Sequence, residues 1–423
     1  MKIGHARICL SPTNDEFYLI GYRSPTRLEP ALGIHDDIYA NSLLFDDGFK
    51  KVFIFSADFI EFEEDMVKEV QSRLSKKYDL EPDHILFVAT HNHSSVVGYH
   101  KSWYTGKFNQ EYYDFLLESI EKSFLTCLSN LQEAQARFGR KNIYGYYNDR
   151  NHKDQDADQE VIVVEFIDDN GVPFSGFVNW AVHSTVISPN NRYLTSEWAG
   201  LVSKKLQEKW GYFPAMIVGA AADCSNRNLR RGNDFTELER VSTGMALEIS
   251  QIPLTNKLQL ERIESLFETY RIKYDPSEMK EKNRRAIREY EKKKKKKKKK
   301  KRIAFVKKEI QKLSEFLDLT DVDISFDMGV IDIGDLLLIV FPGELDSKFG
   351  KILKDDDKKL SIVMGYTNGY FGYFMPEEEY GLSFETIGSL IPKGEPEKIV
   401  SRLKNMIKNH RLARNIADVS WSE

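Results

Sequence analysis

Cysteine is scarce in this chain: Cys9, Cys127 and Cys224 are the only three in 423 residues. An odd, sparse set provides no disulfide framework and points to a reducing compartment. No apolar run is long enough to span a bilayer. The opening Met-Lys-Ile-Gly-His-Ala-Arg lacks the apolar stretch of a secretory leader. The expectation is a cytoplasmic protein with no transmembrane segment, although a secreted protein trimmed of its leader would read the same. A large charge of one sign is also missing. The formal net charge is −4, whereas an electrostatic nucleic-acid binder needs a basic excess, so no nucleic-acid partner is expected. Internal repeats are absent as well.

Apolar residues, by contrast, are plentiful. They make up 41% of the chain, which is enough to bury a large core. Continuous runs rich in β-branched and aromatic residues predict strands over Val52–Ala57, Ile85–Ala89, Val161–Phe166, Phe174–Val182, Ala215–Ala220, Leu336–Phe341 and Ser361–Met364. Such runs imply burial on both faces. Helical spacing joins Met66, Val67, Val70 and Leu74, and again Tyr112, Phe115, Leu116, Ile120, Phe124 and Leu128. A shorter helix is expected over Leu201–Trp210. Strand, helix, strand from Val52 to Ala89 predicts a parallel pair, while Asp169-Asn170-Gly171 predicts a hairpin. The fold class is therefore α/β, a central mixed β-sheet covered by helices, with residues 1–423 as a single catalytic-type domain. Residues 261–316 stand apart. This stretch is strongly charged and includes the ten lysines Lys292–Lys301, and it reads as an exposed helical or partly disordered insertion.

Polar side chains that carry chemistry follow four of the strand-like runs. Ile85–Ala89 leads to His91 and His93. Val178–Val182 leads to His183. Leu336–Phe341 leads through Pro342-Gly343 to Glu344, and Ser361–Met364 leads to Tyr370 and Tyr373. Open α/β sheets place their sites beyond the carboxyl ends of strands. Imidazole nitrogen and carboxylate oxygen suit zinc. Each residue alone also has a plain structural reading: a buried hydrogen-bonded histidine, a glutamate at a helix start, a packed tyrosine. The joint pattern favours a metal centre without naming a reaction.

At these same positions the sequence resembles the neutral/alkaline, non-lysosomal ceramidase family, from the N-terminus to about residue 390. The resemblance rests on Ile3-Gly4-His5-Ala6-Arg7, Ala89-Thr90-His91-Asn92-His93-Ser94, Asn179-Trp180-Ala181-Val182-His183, Pro342-Gly343-Glu344 and Asn368-Gly369-Tyr370-Phe371-Gly372-Tyr373. It implies one zinc ion per chain, held by His91, His183, Glu344 and Tyr373, with His93 beside it to assist proton transfer or polarise a carbonyl. Asn148-Asp149-Arg150-Asn151 resembles a family segment that would make Arg150 a substrate or oxyanion contact. Asp223-Cys224-Ser225-Asn226 resembles a loop whose serine, here Ser225, is assigned as nucleophile. The family pattern is altered at Ser95-Val96-Val97-Gly98, lacks a proline after Ser225, and has Phe384-Glu385 where a tyrosine precedes the glutamate.

The expected activity is metal-assisted hydrolysis of the amide bond of an N-acyl, lipid-like small molecule, with ceramide as the family substrate. A metal-activated water and Ser225 both remain open as the attacking group. The alternatives are a related zinc hydrolase of a soluble ester or amide, and a metal-bearing homologue without catalysis.

Overall fold

The computed structural model describes residues 1–423 apart from 15, 104–105, 296–302, 304–305, 308–309, 312, 315, 356–358, 388 and 421–423. The expected mixture of strands and covering helices forms, with its strands divided among three larger sheets. The first runs Ile85–Ala89, Lys51–Ala57, Tyr39–Asp46, Lys2–Cys9 and Gln132–Glu133. The second runs Ala215–Val218, Pro173–Trp180, Glu160–Ile167, Gln135–Asn142 and Asn256–Leu258. The third runs Ile263–Tyr274, Val322–Ile333, Leu336–Val340 and Leu360–Met364. Apolar faces of all three meet in one core, where Phe45, Ile54, Val88, Phe177, Ile217 and Leu338 are fully buried. The outer faces are covered by helices. Glu64–Tyr78 and Gln110–Ser129 contribute to the layer on the first sheet, and Met66, Val67, Val70 and Leu74 form the buried stripe that the helical spacing predicts. On the third sheet, Ile399, Val400 and Leu403 of the helix Glu395–Ser420 enter the core.

Both predicted pairings form. Lys51–Ala57 and Ile85–Ala89 are parallel. Glu160–Ile167 and Pro173–Trp180 are antiparallel, joined by a turn in which Asp168 Oδ1 accepts the Asn170 and Val172 amides and Gly171 takes φ 79°. The charged segment 261–316 is helical only in part. It opens with the strand Ile263–Tyr274, which pairs with Val322–Ile333 along its full length. Along its second half Thr269, Arg271 and Lys273 lie exposed on one face, while Tyr270, Ile272 and Tyr274 pack on the other. The helix Ser277–Lys295 follows and carries the first lysines of the tract. Lys296–Lys301 lie outside the described residues. Among the described residues, no helix is long and apolar enough to cross a membrane.

One topological feature positions the site. Each large sheet is antiparallel except for one parallel pair at its edge: Lys51–Ala57 with Ile85–Ala89, Pro173–Trp180 with Ala215–Val218, and Leu336–Val340 with Leu360–Met364. The carboxyl ends of the three pairs are stitched together. Gly365 N–H donates to Val218 O at 2.9 Å, Asn368 N–H to Phe87 O at 3.0 Å, and the Asn179 amide to both Ile217 O and Val363 O at 3.0 Å.

Candidate metal centre

Each parallel pair delivers one donor from one strand and a group that orients it from the other. Beyond Ile85–Ala89 the chain turns sharply at His91, whose φ of 55° is a left-handed conformation rare for a side chain of this size. The turn sends the imidazole inward, with Nδ1 2.9 Å from Ile60 O, just past the partner strand. The ring stacks on Tyr366 with centroids 4.3 Å apart. His183 lies beyond Pro173–Trp180, and its Nδ1 is 2.6 Å from Ala221 O, just past Ala215–Val218. Glu344 lies beyond Leu336–Val340. Its carboxylate accepts the phenol of Tyr370 at Oε1 and that of Tyr366 at Oε2, 3.4 Å away, and both tyrosines follow Leu360–Met364.

These orienting contacts decide where the protons sit. A backbone carbonyl can only accept, so Nδ1 of His91 and of His183 carries hydrogen and each Nε2 presents a lone pair. His91 Nε2 is 3.0 Å from His93 Nε2 and 3.5 Å from Glu344 Oε1, while His183 Nε2 is 2.9 Å from Glu344 Oε2. The three imidazoles offer nitrogens within 4.8 Å of one another. His183 Nε2 is buried and makes no hydrogen bond to any group, despite its closeness to the carboxylate. Burial, helped by Arg150 and His91, pushes the His183 imidazole down to about 4. Burial and the neighbouring His91, His183, Arg150 and Arg27 hold His93 well below the usual range. At Glu344 burial works the other way, but His91, His183 and Arg150 outweigh it and take the carboxyl down to about 2. Lone pairs and a carboxylate, all buried and facing each other, are costly unless a cation lies among them. Donors about 2.0–2.1 Å from one zinc ion stand about 3.3 Å apart in a tetrahedron. The observed separations cluster around that value, so the residues fit a metal.

Arg150 forms the neighbouring wall. It is buried, its Nε donates to Glu385 Oε1 at 2.6 Å, and its Nη2 lies 3.4 Å from the Tyr373 hydroxyl. Burial opposes its charge, but Tyr373, Glu385 and Glu344 hold the guanidinium firmly protonated. Tyr373 sits opposite Glu344 in a short parallel bridge, and burial together with the Glu344 charge pushes its phenol up. Ser225 is buried opposite Asn148, and its Oγ accepts the Arg227 amide at 3.2 Å. Among the described residues no imidazole is within hydrogen-bonding distance of that Oγ. Phe384 is 48% exposed, with its ring 6.1 Å from Tyr373 and under the Arg150 guanidinium at 4.9 Å.

The structure thus gathers His91, His93, His183, Glu344, Tyr373 and Arg150 around one point, and places Ser225 in the adjoining loop. Sequence reasoning set His93 beside the donor group; its Nε2 lies 3.0 Å from His91 Nε2. Tyr366 and Glu385 were missed as site residues, and so was Tyr370 as the partner of Glu344. A polar residue just past a buried strand was the signal available for Tyr366, whereas Glu385 follows no strand. Gly21 is a further such residue. A Cβ there would come within 2.6 Å of His93 Cα, so only glycine lets the segment leading to Tyr22 lie against His93. Tyr22 then packs its ring 5.0 Å from that of His93.

Comparison with known proteins gives the family and the fold. Residues 2–213 match the family described as neutral/alkaline non-lysosomal ceramidase, N-terminal. The fold is similar to the crystal structure of neutral ceramidase from Pseudomonas aeruginosa, with TM-score 0.70, 18% identity, and 91% of this chain and 70% of that one covered. It is also similar to a structure described as ceramidase complexed with C2, with TM-score 0.73, 15% identity, and 95% of this chain and 73% of that one covered.

Proposed function

The chain belongs to the neutral/alkaline non-lysosomal ceramidase family, and from that premise we propose that it is a zinc-dependent hydrolase of the amide bond of N-acyl substrates. The observation that carries this reading is the set of buried Nε2 lone pairs on His91 and His183 converging on the Glu344 carboxylate. His91, His183 and Glu344 would hold the metal, with His93 or Tyr373 completing the set. Bound there, zinc supplies Lewis acidity toward a carbonyl and lowers the pKa of water to roughly 7.

The chain's own groups account for the rest. The Ile60 and Ala221 carbonyls fix the imidazole tautomers. The Arg150 guanidinium, held by Glu385, faces the site through Tyr373 and stabilises negative charge that develops on the carbonyl oxygen, a role in which one preorganised donor is worth about 3 kcal/mol. Where Tyr373 completes the set, His93, kept neutral, is placed to take a proton from the attacking water and return it to the leaving nitrogen. Among the described residues no base lies at the Ser225 hydroxyl, so this reading assigns the attack to water and gives Ser225 the task of shaping the loop through Arg227. Ceramide cleavage is the activity that the names of the similar structures suggest. The test is elemental analysis of the purified chain together with turnover on a panel of N-acyl amides. One equivalent of zinc with amide hydrolysis is expected; metal-free protein that hydrolyses at full rate would reject the proposal.

A further inference from the structure

Four arginines lie around the site: Arg27 and Arg150 are buried in its wall, Arg230 is half-buried and Arg227 is exposed. Arg27 Nη2 donates to His93 O at 3.0 Å. Arg150 and Arg227 both lie over the Phe384 ring, with guanidinium carbons 4.9 and 5.6 Å from its centroid. Arg230 follows on the same loop as Arg227, its amide donating to Asn226 O at 2.8 Å, and its charge, like those of Arg27 and Arg227, is felt at the half-buried Tyr22 beside His93. The carboxylates nearby are already engaged. Glu385 holds Arg150 Nε and the Asn151 amide, Glu344 belongs to the donor cluster, and Glu197 accepts the backbone amides of Val186, Ile187 and Trp198. Among the described residues no carboxylate pairs with Arg227, which is exposed, or with Arg230, which is half-buried. In a chain of net charge −4 this is a local concentration of positive charge, one aromatic ring away from Tyr373. Such a mouth raises the local concentration of anions, and guanidinium forks suit oxyanions.

We propose that the substrate is an N-acyl amide bearing an anionic oxygen headgroup, a carboxylate or a phosphate, which Arg227 and Arg230 bind at the mouth of the site. The inference rests on the amidase reading above and names its substrate class. Phe384 supports it: exposed beside Tyr373, its unreactive ring is in cation–π range of both the Arg150 and Arg227 guanidinium groups.

The test uses zinc-loaded full-length protein and four probes: N-lauroylglycine, its neutral counterpart N-lauroylglycinamide, N-lauroylethanolamine phosphate and neutral N-lauroylethanolamine. At low salt kcat/KM should favour one anionic member over its neutral partner by about tenfold or more, the scale of one charge-assisted contact. The pair that shows the preference identifies carboxylate or phosphate. The selectivity ratio should collapse toward one in R227Q/R230Q, recover largely in R227K/R230K, and fall at high salt. Equal turnover of anionic and neutral partners, or a ratio unchanged in R227Q/R230Q, overturns the proposal while leaving the amidase reading intact. Calorimetric binding of the same probes separates the two ideas. Anion-selective binding without hydrolysis of any probe rejects the amidase reading and keeps the arginine site; binding without discrimination rejects the arginine site.

Discussion

Two buried imidazole–carboxylate clusters in this molecule differ in one respect. In the first, His91 and His183 spend Nδ1 on backbone carbonyls and turn bare Nε2 atoms toward Glu344. In the second, His100 meets a carboxylate at each nitrogen: Glu61 Oε1 is 2.7 Å from Nε2 and Glu63 Oε1 is 3.0 Å from Nδ1. Burial alone would depress His100, but Glu61 and Glu63 outweigh it and raise the imidazole to about 9. Glu63 is correspondingly taken down to about 2 by His100, against its own burial. The second cluster is completed by a proton. The first has its Nδ1 protons committed to carbonyls, and on the proposed reading a metal cation completes it. The orientation of Nδ1, rather than the residue types, separates an ion pair from a metal centre.

The contrast breaks most visibly at the first cluster. Glu344→Ala or His183→Ala should abolish zinc retention in elemental analysis and take amide hydrolysis to background; a variant that keeps both would end the metal reading. Next comes the wall of the site. Glu385→Gln leaves Arg150 buried without its counter-charge, a defect of about 3–5 kcal/mol, visible as a lowered urea midpoint. An unchanged midpoint would mean that Tyr373 and Glu344 suffice to hold the guanidinium.

The second cluster should answer to pH instead. A raised imidazole pKa stabilises the fold fully below about 6.5, and that contribution is lost as pH climbs to about 9. The lost stability amounts to roughly 3 kcal/mol. Urea midpoints measured from pH 6 to 9.5 should decline in the wild type and flatten in His100→Gln, while a chelator at pH 6 leaves this contribution untouched. Parallel declines in both proteins would assign the pH dependence to other groups. The smallest effect belongs to Ser225→Ala. Losing the contact that its hydroxyl makes with the Arg227 amide costs about 1 kcal/mol, or roughly fivefold in rate. A collapse to background would make Ser225 the nucleophile after all.

Much of this was legible in the sequence. His91, His183 and Glu344 each follow a continuous apolar run, and a strand buried on both faces must end where its chain becomes polar. The βαβ unit over Val52–Ala89 likewise fixed one parallel pair. What stayed hidden lacks a period. Tyr366, with φ 55°, and Tyr370 occupy an irregular segment, so nothing in the spacing tells which of Tyr366, Tyr370 and Tyr373 reaches the carboxylate. The arm Ile263–Tyr274 was masked by its own charges, which fall on both faces of the strand and so break the alternation that would have marked it. The helix Glu395–Ser420 was readable from Ile399, Val400, Leu403, Met406 and Ile407 but was not assigned. The closeness of His93 to the donors depends on a segment distant in sequence, pressed against it at Gly21.

The three donors hang from three different sheets, and the loop bearing Glu344 is braced to the segment whose Ala221 carbonyl orients His183, where Asp223 accepts the Ser347 amide at 2.8 Å and its hydroxyl at 2.5 Å. Ligands spread from residue 91 to residue 344 cannot meet until every layer has docked, so the centre is a late product of folding with long loops to close. An ion that binds only the finished arrangement acts as a clasp on the whole architecture. Withdrawing it should loosen the mutual seating of the sheets before it unravels any one of them, so metal occupancy becomes a gauge of tertiary assembly as much as of chemistry.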